Sequence, residues 1–296
     1  TNQMKTIKKN NSTLVEDIYN TIGVIAKGKE LKISDDTLET FGVEMAAALK
    51  HWATPQKISN EVKPGLRMSN IGKPDRQLWY DINSKDKTVK ELHPSMYIKF
   101  LYGHLLEVLM LTFVKMAGHE VDHEQKEVTV KGIKGHMDCT INGEVVDVKT
   151  ASGFAFKKFN EGTLAEDDGF GYLAQLAGYE EAMKTEEGGF LVMNKESGEI
   201  VFFKPDDFDK PNIKNRIDTI KKITKSSTAP DFCYKPIAEG KSGNMKLPRQ
   251  CNWCPYKFEC HKEANDGAGL RIFKYAKGNA YLTTVVKQPN VEEVLI

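Results

Sequence analysis

Two aspartates and a lysine fall on one side of a hairpin in the segment Gly135-His-Met-Asp138-Cys-Thr-Ile-Asn142-Gly143-Glu-Val-Val-Asp147-Val-Lys149. Asn-Gly between two β-prone runs predicts a two-residue type I′ turn. With Asn142 and Gly143 as the turn, Ile141 pairs with Glu144, Thr140 with Val145, Cys139 with Val146 and Asp138 with Asp147. Directly opposed residues point to the same side of a sheet, with Cβ atoms about 5 Å apart. Lys149, two residues past Asp147, shares that side. Two opposed carboxylates repel unless a cation stands between them. The pattern therefore asks for a metal, and a divalent ion beside a lysine suits metal-assisted hydrolysis. A solvated hairpin face would account for Asp-x-Lys by itself, since the tripeptide is common. It does not account for the second aspartate opposite, nor for the order of the motifs around it.

Two helical pairs flank the hairpin. His104 and Glu107, in Gly103-His-Leu-Leu-Glu107, are three apart and share a helix face. Inside an apolar helix such groups are costly unless paired or ligating, although a satisfied core histidine beside a surface glutamate would also explain them. Gln175 and Tyr179, four apart, again share a face; a partly buried tyrosine is the plain alternative. Further on, Cys251-Asn-Trp-Cys254-Pro-Tyr-Lys-Phe-Glu-Cys260 follows Cys233. Four thiolates could hold a [4Fe–4S] cluster or a structural Zn²⁺, and spacing alone does not choose. Cys139 points away from Asp138 in the hairpin register and reads as core.

These residues need elements to hold them. Residues 1 to about 12 are polar and read as frayed. Helical patterns follow near Thr13–Ala26 and Asp35–Trp52. Pro64 to Arg76 reads as a loop entering Gln77–Tyr80, and Met96–Ala117 as a helix buried on much of its surface. Strands are expected at Glu127–Lys131, Gly135–Ile141 and Glu144–Thr150, then a helix at Tyr172–Lys184. A second hairpin, Gly189–Asn194 with Glu199–Phe203, precedes a basic helix near Lys210–Lys225. A last hairpin, Leu270–Tyr275 with Ala280–Val286, turns at Lys277–Asn279. This order predicts an α/β fold with a mixed central sheet flanked by helices. The expected segments are residues 1–60 (helical), 61–230 (the catalytic core), 231–265 (the cysteines) and 266–296 (hairpin and tail).

The 296 residues, 40% hydrophobic and 28% charged, describe a globular chain with enough apolar residues for a core. A net charge of +1 gives no general basic excess, so any nucleic-acid contact must be local. No apolar stretch approaches the roughly 20 residues that span a bilayer, and Thr1-Asn-Gln-Met-Lys5 lacks the apolar core of a signal peptide. The reading is a cytoplasmic protein with no membrane partner, in the host cytoplasm if it is viral. Five cysteines, mostly late in the chain, favour metal ligation over disulfides.

His104, then Asp138, then Asp147-Val-Lys149, then Gln175-x-x-x-Tyr179 resembles the PD-(D/E)XK nuclease superfamily, in its RecB-like branch, over roughly residues 65–262. The resemblance implies a restriction-endonuclease-like core. It implies one or two Mg²⁺ or Mn²⁺ ions held by His104, Asp138 and Asp147, with the Val148 carbonyl as a further ligand. Lys149 would orient water or stabilise charge on the phosphate, Glu107 would fill the acidic position of its helix, and Gln175 and Tyr179 would pack behind the site and meet DNA. Cys251, Cys254 and Cys260 resemble the C-terminal iron–sulfur staple of this branch. Relatives usually take a first cysteine from before the core, where Gly72-Lys-Pro-Asp-Arg76 has none, so Cys233 must replace it. A [4Fe–4S] cluster is the first reading and structural Zn²⁺ the alternative. Arg67, Ser69 and Arg76 before the core, and Ser152, Lys157 and Lys158 after the Asp-x-Lys strand, could hold DNA phosphates. Phe154 and Phe156 could stack on bases, and could equally be core.

The function expected is a phage-type, metal-dependent DNA exonuclease of recombination, repair or genome processing, acting on free ends. A strand-annealing or replication partner, and an oligomer, would be compatible with it. The alternatives are a structure-specific endonuclease of the same superfamily and a non-catalytic iron–sulfur protein that binds DNA and senses redox state.

Overall fold

The computed structural model describes residues 9–54, 65–84 and 93–295. The fraying expected at the N-terminus falls, up to residue 8, outside them, as does Pro64. The chain divides into two compact units, Thr1–Gly72 with Asp86–Asp218, and Lys73–Lys85 with Thr219–Ile296.

The first unit carries, in chain order, α1 (Leu14–Ile22), α2 (Asp35–Ala53), and, beyond α3 (Asp75–Asn83) of the second unit, α4 (Pro94–Met116). Five strands follow: β1 (Val121–Asp122), β2 (Lys126–Val130), β3 (Ile133–Met137), β4 (Cys139–Ile141) and β5 (Glu144–Ala151). Then come α5 (Gly153–Asn160), α6 (Tyr172–Met183), β6 (Gly188–Asn194), β7 (Ile200–Phe203) and α7 (Ile213–Lys225), in which the boundary between the units falls. The central sheet has the order β1-β4-β5-β6-β7. Only β5 and β6 run parallel, joined through α5 and α6, so the sheet is mixed and helices flank it.

Ser34 starts α2 by accepting from the Thr37 N–H, a helix cap. Leu14 and Ile18 of α1 and Met110, Leu111 and Val114 of α4 cover one side of the sheet, against Cys139, Ile141, Val146, Val148, Leu191 and Met193. The alternation that turns Val146 and Val148 to this core sends Asp147 and Lys149 to the other side. Cys139 sits in the core, fully buried.

Asn142 and Gly143 take φ of +52° and +87°, as a type I′ turn requires. The pairs Ile141–Glu144, Thr140–Val145 and Cys139–Val146 form as predicted. The ladder stops there. Asp138 does not pair with Asp147 but lies in a one-residue break between β3 and β4, and the single strand expected over Gly135–Ile141 is two. β3 pairs instead with β2 in a separate two-stranded ribbon.

Phe154 and Phe156 lie on α5, where Phe156 is buried in the core and Phe154 is exposed. Three further expectations are corrected. The last hairpin turns at Ala276 and Lys277, since Tyr275 already pairs with Gly278. The helix expected to be mostly buried is so only near its end. In α4, Tyr97, Ile98, Phe100 and Tyr102 are exposed and Met110, Leu111 and Val114 are buried. At 23 residues, with an 18-residue window of mean hydropathy 1.4, α4 is also, by length and composition, apolar enough to cross a bilayer, against the expectation that no such stretch exists.

The second unit has a sheet of order β12-β10-β11-β9-β8, made by β8 (Ile237–Ala238), β9 (Met245–Lys246), β10 (Arg271–Tyr275), β11 (Gly278–Thr284) and β12 (Glu293–Val294). Between β9 and β10 two short helices, α8 (Arg249–Asn252) and α9 (Lys257–Cys260), carry three of the cysteines.

Candidate active site and cysteine cavity

Asp147 sits on β5, the middle strand of the sheet, where both neighbouring strands exclude water and its residue is 2% exposed. Lys149 places its ammonium 2.6 Å from Asp147 Oδ2. The approach lies off the direction of a hydrogen bond, and that buried oxygen has no hydrogen-bond partner. Asp138 reaches the same place from the break after β3. Its Oδ2 accepts from the Val148 N–H at 2.8 Å, so the carboxylate takes over a donor that the interrupted ladder leaves open. Glu107 comes from α4 and accepts at Oε1 from Gln125 Nε2 at 3.1 Å.

The three carboxyl groups act on one another. Burial, then the charges of Asp147 and Glu107, raises Asp138 well above the carboxylate range. Burial, then Asp147, pushes Glu107 up to about 7. For Lys149 burial works against the charge, but Asp147 and Asp138 outweigh it and the ammonium is held more firmly than usual. Fully ionised, three carboxylates and one ammonium leave a net charge of −2 among groups that face each other.

His104 lines one cavity with Glu107, Asp138, Glu124, Gln125 and, from α2, His51. Its ring meets His51 edge-on at 5.9 Å. Burial, then His51, lowers its basicity, which keeps the imidazole neutral as a ligand needs. As placed, no three His, Cys, Asp or Glu side chains among the described residues are grouped to hold one ion. The donor chemistry nonetheless suits a dication: the donors are hard oxygens with one imidazole, and three carboxyl groups face a single ammonium.

Behind the carboxylates, Gln175 Nε2 donates to the Tyr179 hydroxyl at 3.0 Å, and that hydroxyl donates to the His136 carbonyl at 2.7 Å. Tyr179 is thereby buried and locks α6 to β3, while Gln175 lines a surface pocket with Arg67, Ser69, Lys134 and His136. Met68 is clamped below this pocket, since a Cβ on Gly135 or on Gly178 would stand 2.4 Å or 2.1 Å from its side chain. Lys157 is exposed and 3.6 Å from Glu161. Ser152 stands at the N-cap of α5 without a capping bond. Lys158 is tied to Asp167.

Sequence reasoning missed Tyr172. It heads α6, three residues before Gln175 and seven before Tyr179, so it belongs to the same helical stripe. Lys149 Nζ lies 4.9 Å from the centre of its ring, a cation–π contact that steadies the ammonium. Only the three-residue step back from Gln175 could have signalled it. His51 and Gln125 carried no signal of their own.

In the second unit Cys233, Cys251, Cys254 and Cys260 line a single cavity with Arg76, Tyr80, Phe232 and His261. Arg76, expected on a DNA phosphate, is turned to this cavity. Its Nε donates to Cys260 Sγ at 3.1 Å, its Nη1 to the Pro230 carbonyl, and its guanidinium lies 4.4 Å from the Phe232 ring centre. Burial, then the other three cysteines, pushes the Cys251 thiol up to about 12. The same cavity brings the four sulfurs together without placing three of them for one metal.

No family model matches the sequence, and no curated protein does. Solved structures similar to this chain include the protein SSO0001, at 16% identity, covering 73% of this chain and 93% of that one with a TM-score of 0.40. An alkaline exonuclease (LHK-Exo) from Laribacter hongkongensis matches at 12% identity, over 53% of this chain and 89% of its own, with a TM-score of 0.34. A phage related exonuclease from Haemophilus somnus 129PT matches at 13%, over 61% and 92%, with a TM-score of 0.35.

Proposed function

We propose that the chain is a divalent-metal-dependent deoxyribonuclease that hydrolyses phosphodiester bonds at DNA ends. The observation that carries this reading is the group of Glu107, Asp138 and Asp147 around Lys149, three carboxyl groups facing a single ammonium. His104, Asp138 and Asp147 would hold Mg²⁺ or Mn²⁺. Once bound, such an ion activates water and neutralises charge on the leaving oxygen. Lys149, kept protonated by its aspartates, serves as a fixed positive charge for a phosphoryl oxygen rather than as a base. Glu107, titrating near neutrality, can take up or release a proton at its carboxylate. Arg67, Ser69 and Gln175 offer donors to the DNA backbone along one pocket.

The group of Asp138, Asp147 and Lys149 supports a hydrolytic enzyme over a redox-sensing DNA-binding protein, which would have no use for it, while a structure-specific endonuclease would use the same residues and differs in needing no DNA end. Cys233, Cys251, Cys254 and Cys260 would hold a [4Fe–4S] cluster, with Zn²⁺ as the alternative, after their side chains close on the ion. Its task would be structural: Tyr256 stacks on Tyr80 at 5.4 Å and donates to Asp81, and Ser84 donates to Glu259, so the cysteine segment is fastened to α3.

The test is degradation of end-labelled linear DNA beside closed circular DNA, with Mg²⁺, with Mn²⁺ and with EDTA. Metal-dependent loss of linear DNA alone, absent in Asp147→Ala, is expected. Loss of the circle assigns an endonuclease. Cleavage undiminished in Asp147→Ala overturns the site.

A further inference from the structure

Phe170 is 72% exposed, yet the loop that presents it is tightly held. The Asp168 carbonyl accepts from the Gly171 N–H at 3.0 Å, and the Asp168 carboxylate accepts from the N–H groups of Tyr172 and Leu173 at 2.8 and 2.9 Å, closing the start of α6. Lys158 Nζ donates to the Asp167 carbonyl at 2.9 Å on the other flank. Gly171, at φ +76°, meets Gly72 backbone to backbone, with a Cβ at either position less than 3 Å from the other residue. A single exposed ring is ordinary on a protein surface, but this one is carried on a loop whose place is fixed by its neighbours.

The inner side of that ring explains it. Phe170 stacks on Tyr172, with centroids 5.5 Å apart and planes 19° from parallel, and Tyr172 is the ring beside the Lys149 ammonium. The stack thus runs from the cation of the candidate site, one ring inside, to a flat apolar surface one ring further out. A nucleotide has the matching sequence of parts: an anionic phosphate and, one sugar away, a flat base. Lys158 and the exposed Phe154, 5.6 Å apart, continue the mixture of cations and rings on the neighbouring helix. Resting on the nuclease reading above, we infer that Phe170 is the platform on which the nucleobase next to the scissile phosphate stacks, with Tyr172 backing the platform and positioning Lys149. Because every base has a π face, the contact selects for a base without selecting which one. A protein partner would be expected to find a wider apolar patch than one ring.

The experiment crosses removal of the ring with removal of the base. Short single-stranded DNA, with either a normal or an abasic nucleotide at the cleaved end, is given to the full chain with Mn²⁺. On the normal strand Phe170→Ala raises KM about 10-fold and lowers kcat far less, and Phe170→Trp restores KM. Wild type loses a similar factor on the abasic strand, where Phe170→Ala loses nothing more. Equal losses from base removal in both proteins, or an unchanged KM in Phe170→Ala, overturn the platform while leaving the nuclease intact. A change in sedimentation of Phe170→Ala with unchanged KM assigns the ring to contact between copies and also overturns it. Cleavage of linear duplex DNA but of neither strand overturns this inference alone, and no cleavage of duplex or strand, in Mg²⁺ or Mn²⁺, overturns the nuclease reading with it.

Discussion

Glu107 shows how far one carboxyl group can be moved by its neighbours. Its ordinary value is 4.5, and burial with Asp147 nearby pushes it up to about 7. The folded chain therefore keeps a proton that the unfolded chain releases, and folding stability without metal falls as pH rises from about 4.5 through about 7. Asp138 is shifted in the same direction and steepens the loss. A bound dication replaces the proton, so its stabilising effect grows over the same range. Melting temperatures at pH 5 and pH 8, in EDTA and in Mn²⁺, check this: a drop in EDTA, little or none in Mn²⁺, and a smaller drop in EDTA for Glu107→Gln. A flat profile in EDTA would show that the carboxyl groups do not share one site.

At the scale of elements, legibility depended on whether a local rule decided the outcome. Asn142-Gly143 fixed a turn and three pairs of register because few backbones satisfy two successive positive φ angles. The break at Asp138 was not legible, because it depends on a hydrogen bond to Val148 ten residues away. Whether Phe154 and Phe156 met bases or the core was not legible from their alternation, since it is Phe156 and Phe159, three apart, that bury themselves along a helix. The length of α4 was visible, whereas its exposed first half was not, since apolar composition does not say which turns meet the sheet. The close approach of three segments at Met68 was likewise invisible, although its glycines were in plain view. Gly178→Ala puts a Cβ 2.1 Å from Met68 Sδ, and Gly135 on the other side limits the sulfur's retreat. Urea unfolding is expected to show a loss of about 1–3 kcal/mol, and a much smaller further loss when Gly178→Ala is added to Met68→Ala, because the two changes act on one contact. Strictly additive losses would count against the clamp.

At the scale of the molecule, the sequence suggested consecutive segments, while the structure interleaves its two units. Lys73–Lys85, ahead of the catalytic strands in sequence, joins Thr219–Ile296. This placement changes the reading of Arg76, whose position before the core suggested a phosphate and whose guanidinium instead meets Cys260. The cysteine spacing was legible, and the gathering of Cys233 with the other three depends on packing that no spacing rule encodes. Without a metal three of those thiols are held protonated: Cys251 is pushed up to about 12, and Cys254 and Cys260 are raised by burial in the first place. Any cation that takes thiolate ligands must displace those protons, so Zn²⁺ affinity of the metal-free chain should climb steeply between pH 6 and pH 8, with proton release measurable by calorimetry in buffers of different ionisation enthalpy. Cys260→Ser removes one sulfur and the acceptor of Arg76 together. It is expected to lower metal content in the purified protein and to expose the segment from Cys233 to Cys260 to proteolysis, while the sheet containing Asp147 stays protected. Equal protease resistance of wild type and Cys260→Ser, with and without chelator, would mean that the four sulfurs share a cavity without sharing an ion.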